Sequence, residues 1–401
     1  MKVLVLSQYY PPHQTAAGTR MFEFLKALSA EERVERIDIV VWHPLAQSRG
    51  KPPTLRKVRV HRPVIGRHVP RPLLSHQDPN PLYWVLWKKI AARYLRKLSP
   101  DIVFISTPPG ILIAGAAACM SRRVKFIIEY RDNWFEINRS LISQRKGMLK
   151  NVAMPLHRLF VRRARHANAK AAFIVLISDA IAGSMGIRED RALVVRNGID
   201  PDEALAAVPD RTLLSDKNIK IAYVGNLSTP YYSPEILIPY IEQDAMYRLI
   251  VLSPSRSAAF DAALEKASIA ERVKVTQIPH PEMLSVIKAC NMGFLSLNEG
   301  DPQGKYAVPS KFYDYLACGI PVLAVADPDS FVYRFIRSHG NGIALSWDRT
   351  GEIGAALRAI ADDPKYSAKA QEILGKVLKE FDRREANRLL VRRILETCGT
   401  R

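Results

Sequence analysis

Short apolar runs of strand length recur along this chain with helical patterns between them, and that alternation restricts it to parallel sheets wrapped by helices. In the first half the runs are Val3–Leu6, Ile37–Trp42, Ile102–Ile105, Phe126–Ile128 and Ala172–Ile177. After the first run, Met21, Phe24, Leu25 and Leu28 fall at helical spacing. The second half repeats the pattern with Ile219–Val224, Tyr247–Leu252, Val273–Gln277, Met292–Leu297 and Pro321–Val325. Both halves therefore read as doubly wound α/β sheets. A chain of 401 residues exceeds one ordinary core and suits two domains.

Residues 196–215 hold turn residues and no long apolar run, which places a boundary there. The expected domains are 1–195 and 196–375, with a C-terminal helix over 376–401 packing back on the first. From Ala368 to Glu396 the pattern is helical, with Leu374, Val377, Leu378, Phe381, Leu389, Leu390 and Ile394 on the apolar side. Two doubly wound domains leave a cleft at the carboxyl ends of both sheets, where ligands bind. Ile102–Ser121 is long and uncharged, but Pro108, Pro109 and Gly110 cut it into a strand and a helix too short to cross a bilayer. The Pro-rich, basic piece Lys51–Pro81 lacks periodicity and reads as a mobile loop.

Hydrophobic residues at 48% and charged residues at 24% exclude wholesale disorder. Cys119, Cys290, Cys318 and Cys398 lie far apart, which argues against a disulfide framework or zinc site and fits a reducing compartment. The start, MKVLVLSQYYPPH, is broken by prolines and does not read as a secretory signal. The net charge of +20 is confined to residues 1–200, where 34 basic side chains face 14 acidic ones. Such a field implies an anionic partner for that half: a membrane surface, a phosphorylated substrate or a nucleic acid.

The segment VPSKFYDYLACGIPVLAV, Val308 to Val325, carries the most chemical information. Pro309 and Ser310 signal a helix start with Ser310 as N-cap, and Gly319 and Pro321 close the helix before a buried strand. A helix N-terminus offers backbone N–H groups and partial positive charge that suit a phosphate. Lys311 in the first turn opposes the helix dipole, which an anion nearby would explain. Asp314, one turn on, has the chemistry to accept hydrogen bonds from ribose hydroxyls. A capped helix with a solvated lysine has the same sequence, so these residues alone leave both readings open.

This segment resembles the nucleotide-sugar site of glycosyltransferase family 4, retaining enzymes of the GT-B fold. SQYYPPHQTAAGTR near the start, EYRDNW at Glu129–Trp134, ISDAI at Ile177–Ile181, RNGID at Arg196–Asp200, IAYVGNL at Ile221–Leu227 and ACNMGFLSL at Ala289–Leu297 match that family in order and spacing. The resemblance covers nearly the whole chain. It implies two Rossmann-like domains with an interdomain cleft, the first binding an acceptor and the second a UDP- or GDP-linked sugar.

It also implies site residues. Gly18 in the first loop lets backbone N–H groups approach the donor phosphate. Gly225 and Asn226 form the turn facing the diphosphate, which Pro309, Ser310 and Lys311 hold, and Asp314 takes the ribose. Ile278 and Pro279, beside His280, border the nucleobase. Arg131 and Asp132 face the reacting sugar and, with Lys311, are the candidate catalytic residues; His13 is a weaker one.

Many family members carry two glutamates spaced as Tyr306 and Asp314 are here. Glu299 and Asp301 offer carboxylates nearby in a different register. Where many relatives place an Arg and a Lys after the VG turn, this chain has Asn226 and Tyr231–Tyr232. The leaving diphosphate would then be neutralised by Lys311, Arg131 and backbone dipoles, with no metal and no cofactor beyond the donor. Asp327-Pro328-Asp329 follows a strand and reads as a turn. The resemblance implies front-side attack with retention.

Two segments concentrate the basic charge. Tyr83–Leu98 gathers Trp84, Trp87, Ile90, Ala91, Tyr94 and Leu95 near one helical face, with Lys88, Lys89, Arg93, Arg96 and Lys97 largely elsewhere. Met148–Lys170 sets Leu149, Met154, Leu156, Leu159 and Phe160 beside Arg158, Arg162, Arg163, Arg165 and Lys170. Basic amphipathic helices of this kind suit an anionic membrane interface, although a helix covering a sheet has the same pattern. The expectation is a cytoplasmic enzyme, peripheral on the inner face of the cytoplasmic membrane, with a lipid-linked or otherwise anionic acceptor. A non-catalytic GT-B sugar-nucleotide or partner binder is the alternative, and a GT-B epimerase a minor one. No nucleic-acid-binding signature is present, so nucleic acid is not an expected partner.

Overall fold

The computed structural model describes residues 1–399 apart from 13–15, 42–52, 64–80, 145–146, 216, 228–231, 300–301 and 307. Contacts divide the chain into one unit of Met1–Arg196 with Arg384–Arg401 and another of Asn197–Arg383.

The first unit is built on strands β1 (Lys2–Ser7), β2 (Arg36–Val41), β3 (Val58–His61), β4 (Ile102–Thr107), β5 (Lys125–Tyr130), β6 (Ile174–Leu176) and β7 (Ala192–Val194). They form one parallel sheet in the order β3-β2-β1-β4-β5-β6-β7. A parallel sheet is covered on both faces, so β1 and β4 run apolar over four successive positions, β2 does so apart from Asp38, and all three are almost wholly buried. On one face Val3, Val5, Ile37, Ile39 and Phe104 pack with Met21, Phe24, Leu25 and Leu28 of α1 (Ala16–Ala30). Leu390, Val391, Ile394 and Leu395 of the helix Arg383–Gly399 complete that core. Strand order reverses between β1 and β4, so the loops after these strands splay apart, which is where ligands enter such sheets.

The expected membrane-facing helix takes the other course open to its pattern. In α2 (Pro81–Leu98), Tyr83, Trp84, Trp87, Ala91 and Leu95 are buried. Trp84 meets Phe160 of α5 (Met148–Lys170) edge-on at 5.8 Å, and the Arg163 guanidinium sits 5.4 Å from the Trp84 ring. The aromatic side of α2 is core, because a helix that must cover a sheet turns its largest apolar surface inward. α3 (Ala114–Arg122) is likewise buried, as the uncharged run required. Among the described residues no helix is long and apolar enough to cross a membrane.

The second unit holds β8 (Ile219–Val224), β9 (Tyr247–Leu252), β10 (Val273–Thr276), β11 (Met292–Ser296), β12 (Val322–Val325) and β13 (Gly342–Leu345). Their order, β10-β9-β8-β11-β12-β13, is again parallel, and it reverses between β8 and β11. β3, β7 and β13, each a sheet edge, have no counterpart among the runs read from sequence. β3 lies inside the Pro-rich piece expected to be a loop; most of the rest of that piece lies outside the described residues.

The C-terminal stretch, expected as one helix, is two: Lys365–Glu380 in the second unit and Arg383–Gly399 in the first. The return therefore falls at Arg384 rather than 376. Between them Phe381 is buried in the second core, 5.3 Å from the Tyr313 ring. There the departing and returning chains lie side by side: Ile199 N–H donates to Phe381 O at 2.7 Å and Arg383 N–H to Ile199 O at 2.8 Å. Gly198 has φ +67°, and a Cβ on it would lie 2.5 Å from the Phe381 carbonyl oxygen, so this crossing requires glycine.

Candidate active site

The reversal point of the second sheet is closed by the helix Ser310–Ala317. Its Tyr315 ring lies over Gly293 of β11, where an added Cβ would come within 2.7 Å of ring carbons. The Tyr315 hydroxyl accepts from Val224 N–H at 3.1 Å and lies 2.9 Å from Phe294 O. One phenol thus ties the helix to the ends of β8 and β11 and fixes where its first turn falls.

That first turn begins after Pro309, which is the N-cap and supplies no side-chain capping bond. Ser310 is the first helical residue, one place beyond the cap position expected for it, because Pro309 already holds the extended backbone a cap needs. Lys311 is not solvated: it is 5% exposed, and its Nζ has no hydrogen-bond partner. The Nζ lies 3.6 Å from the Tyr232 ring centroid and 4.2 Å from that of Tyr223. Burial lowers the Lys311 pKa well below the ordinary lysine value.

Gly225, the residue after β8, is shaped to this amine. Its φ is +133°, and a Cβ there would lie 3.0 Å from Nζ and 3.1 Å from Cε of Lys311. The next residue, Asn226, accepts through Oδ1 from the Ser255 hydroxyl. Ser233 N–H donates to Ser296 Oγ at 2.8 Å, which anchors the chain directly after Tyr232.

Asp314 is engaged on the same helix. Its Oδ1 lies 3.2 Å from His280 Nε2, and His280 Nδ1 lies 3.3 Å from Glu203. Arg383 reaches Glu203 at 3.5 Å and Asp200 at 3.8 Å. The hydrogen bond to Asp314 raises the His280 pKa above its usual value, against the opposing effect of burial. Pro279 is the N-cap of the helix His280–Lys288, and Ile278 packs against the core beneath it. Glu299 is exposed in the turn after β11.

In the first unit, β5 ends in a buried ion pair. Glu129 accepts from Arg20 Nε at 2.9 Å and from the Ser106 hydroxyl at 2.6 Å, and Arg20 also donates to Arg196 O at 3.1 Å. Arg131 follows with its guanidinium committed. Nε donates to Thr107 O and Nη2 to Pro108 O, each at 3.1 Å, and the group sits 4.9 Å from the Tyr9 ring. Burial lowers its pKa, against the pull of Glu129. Arg131 thus fastens the loops after β4 and β5 together. Asp132 is half-buried beside it. Gly18 belongs to the first turn of α1 rather than to a loop, because helical structure already begins at Ala16.

Within the second unit Gly225 abuts the Lys311 amine, and Pro309 and Ser310 open the helix that carries it. Asp314 faces His280, one turn away, and Arg131 and Asp132 belong to the first unit. His13, Tyr231 and Asp301 lie outside the described residues. Sequence reasoning missed Tyr223 and Tyr232 as the walls around Lys311; its one signal was that Tyr232 stands where relatives carry a charge. It also missed Glu129, an isolated acid at the end of an apolar strand run and so a sign of a buried pair.

The comparisons with known proteins agree with this geometry. The profile of Glycosyltransferase Family 4 matches residues 17–203. That stretch is similar to a family 4 glycosyltransferase domain. No curated protein sequence matches the chain. Among solved structures, Anabaena HepE, crystallised with UDP and glucose, is 17% identical, with all of both chains covered and a TM-score of 0.64. WaaG, a glycosyltransferase involved in lipopolysaccharide biosynthesis, is 14% identical over 96% of this chain and 98% of its own, with a TM-score of 0.68. A UDP-N-acetylglucosamine 2-epimerase is 13% identical over 100% of this chain and 97% of its own, with a TM-score of 0.60. The fold is GT-B, with two Rossmann-like units.

Proposed function

We propose that this chain is a glycosyltransferase that moves a hexosyl group, with retention, from a UDP- or GDP-sugar to a lipid-linked or otherwise anionic acceptor. The observation that carries the reading is Lys311: an amine 5% exposed, without a hydrogen-bond partner, in the uncapped first turn of a helix at a sheet's reversal point. A diphosphate there receives the helix N-terminus and the amine together, while Gly225 leaves room for both. Electrostatic support of the leaving group is commonly the largest catalytic contribution, and one lost donor costs about 10²–10³ in rate. Lys311 and the helix dipole supply that support in place of a metal ion. Asp314 takes the ribose hydroxyls, with Ile278, Pro279 and Glu299 bordering the nucleoside. Gly18 lets the backbone approach the donor phosphate, Arg131 faces the phosphate or the reacting sugar, and Asp132 is a polar group on the acceptor side.

The acceptor reading rests on the surface of the first unit. Neither α2 nor α5 contains an acidic residue. Lys88, Lys89, Arg93, Arg158, Arg162, Arg163 and Arg165 are exposed on these helices, with Val85, Val152 and Leu159 open to solvent among them. With the Trp84 face buried, contact with an anionic membrane is electrostatic and shallow, each Lys or Arg adding about 1 kcal/mol at the surface. The protein then works at the cytoplasmic face of the membrane.

The test is a thermal-shift panel of UDP, GDP and their sugars on the wild type and Lys311→Ala. The cognate nucleotide raises the melting temperature, and the variant loses most of that rise. Absence of any nucleotide effect on the wild type overturns the donor reading. Salt-sensitive flotation with anionic vesicles tests the surface, and indifference to them at low ionic strength refutes it. Tyr306, standing where many relatives carry a glutamate, favours a second reading as a non-catalytic binder. Donor binding without transfer or hydrolysis would select it.

A further inference from the structure

We propose that Lys311 is uncharged while the donor site is empty and takes up one proton as a sugar nucleotide docks, so that donor capture consumes a proton. This rests on the donor-site reading given above and concerns how that site is charged.

An ammonium is normally held inside a protein by a carboxylate or by several acceptors. Among the described residues Lys311 has neither. Its Nζ is without a hydrogen-bond partner, and its neighbours are two phenol rings, at 3.6 Å from Tyr232 and 4.2 Å from Tyr223. The titratable groups in this part of the unit are those phenols, Tyr315 and Asp314 on its own helix, and Glu235, none of which makes a hydrogen bond to Nζ. Glu235 acts on Tyr223, and Asp314 is 3.2 Å from His280. Burial drives the Lys311 pKa down. The positive end of the helix acts in the same direction. Ring faces attract a cation, but by less than the cost of stripping water from an ammonium.

Arrival of a diphosphate reverses the balance. The Nζ lone pair takes a proton from water or buffer and forms an N–H bond. The ammonium then presents three donors, and the phosphate oxygens supply the acceptors and charge that the empty site lacks. The amine plus the sugar nucleotide plus one proton gives the ammonium complex, with no bond broken in the donor. Affinity therefore falls about tenfold per pH unit between the pKa values of the empty and occupied states.

The experiment is calorimetric titration of the full chain with UDP-glucose and GDP-mannose near pH 8, in buffers of differing ionisation enthalpy. The expected result is uptake of about one proton per donor bound by the wild type. Lys311→Arg, whose guanidinium stays charged, binds without uptake, and Lys311→Met, which has nothing to protonate, shows no uptake in the weakened binding it retains at high donor concentration. Binding by the wild type without proton uptake overturns this proposal and leaves the donor reading intact, as does uptake that persists in Lys311→Met. If neither sugar nucleotide binds the wild type, the donor reading itself fails and takes this one with it.

Discussion

Replacing Lys311 with methionine should make the empty protein more stable, although it removes the group on which the proposed donor site rests. The amine is 5% exposed and has no hydrogen-bond partner. A buried polar group left in that state costs about 1–3 kcal/mol. Methionine keeps most of the stem, fits the space between Tyr223 and Tyr232, and has nothing to desolvate. For a unit of this size each kcal/mol moves the melting temperature by about 2–4 °C, so the gain is about 2–12 °C. The pH dependence sharpens the prediction. The folded pKa of Lys311 is depressed, so between that value and the ordinary lysine pKa the unfolded state binds more protons. Wild-type stability therefore rises with pH across this window. The advantage of Lys311→Met is largest at neutral pH and shrinks as the pH climbs toward the ordinary lysine value. Differential scanning calorimetry without ligand, at several pH values, reads both effects. A variant that melts below the wild type at neutral pH would refute the reasoning, because it would mean that the amine is paid for by an interaction the packing does not show.

Gly225→Ala places a methyl 3.0 Å from the Lys311 Nζ at φ +133°; it should cost about 1–3 kcal/mol and weaken nucleotide binding, both visible in the same calorimetric scans. Arg20→Met leaves Glu129 buried without its partner and should destabilise the first unit by about 3–5 kcal/mol, with much of that restored in the Arg20→Met/Glu129→Leu double variant, as denaturant titration would record. His280 has a raised pKa, so its contribution to stability is full below the ordinary histidine pKa and is lost as pH rises through the folded value; His280→Gln should flatten that part of the stability–pH curve.

Apart from β10, the strands that sequence reasoning found are those with neighbours on both sides. Ile102–Ile105 and Ile219–Val224 are apolar runs because β4 and β8 are sheet interiors covered on both faces. β3, with the sequence VRVH, and β13 need no such run, since an edge strand is only partly covered, and both escaped notice. Of the two other edges, β7 was missed as well, and β10 was found because Val273 and Val275 alternate with polar residues. At the site, residues adjacent in sequence were legible: Pro309, Ser310 and Lys311 announce a helix start that suits an anion. What surrounds them was not. Tyr223 and Tyr232 come from a different strand and loop, and no local pattern says that a lysine will be enclosed by phenols and left without a partner. The tryptophans of α2 show the same limit, because amphipathicity gives the existence of an apolar side and leaves open whether protein or lipid covers it.

The crossing at Ile199 and Phe381 carries a consequence for how the molecule is made. The first core needs Leu390, Val391, Ile394 and Leu395, which the ribosome delivers only after the whole of residues 197–383. During synthesis the second unit is complete in sequence while the first still lacks a wall. The part begun earliest is thus finished last, and until then its exposed apolar face is the nascent chain's point of greatest exposure to aggregation and to chaperones.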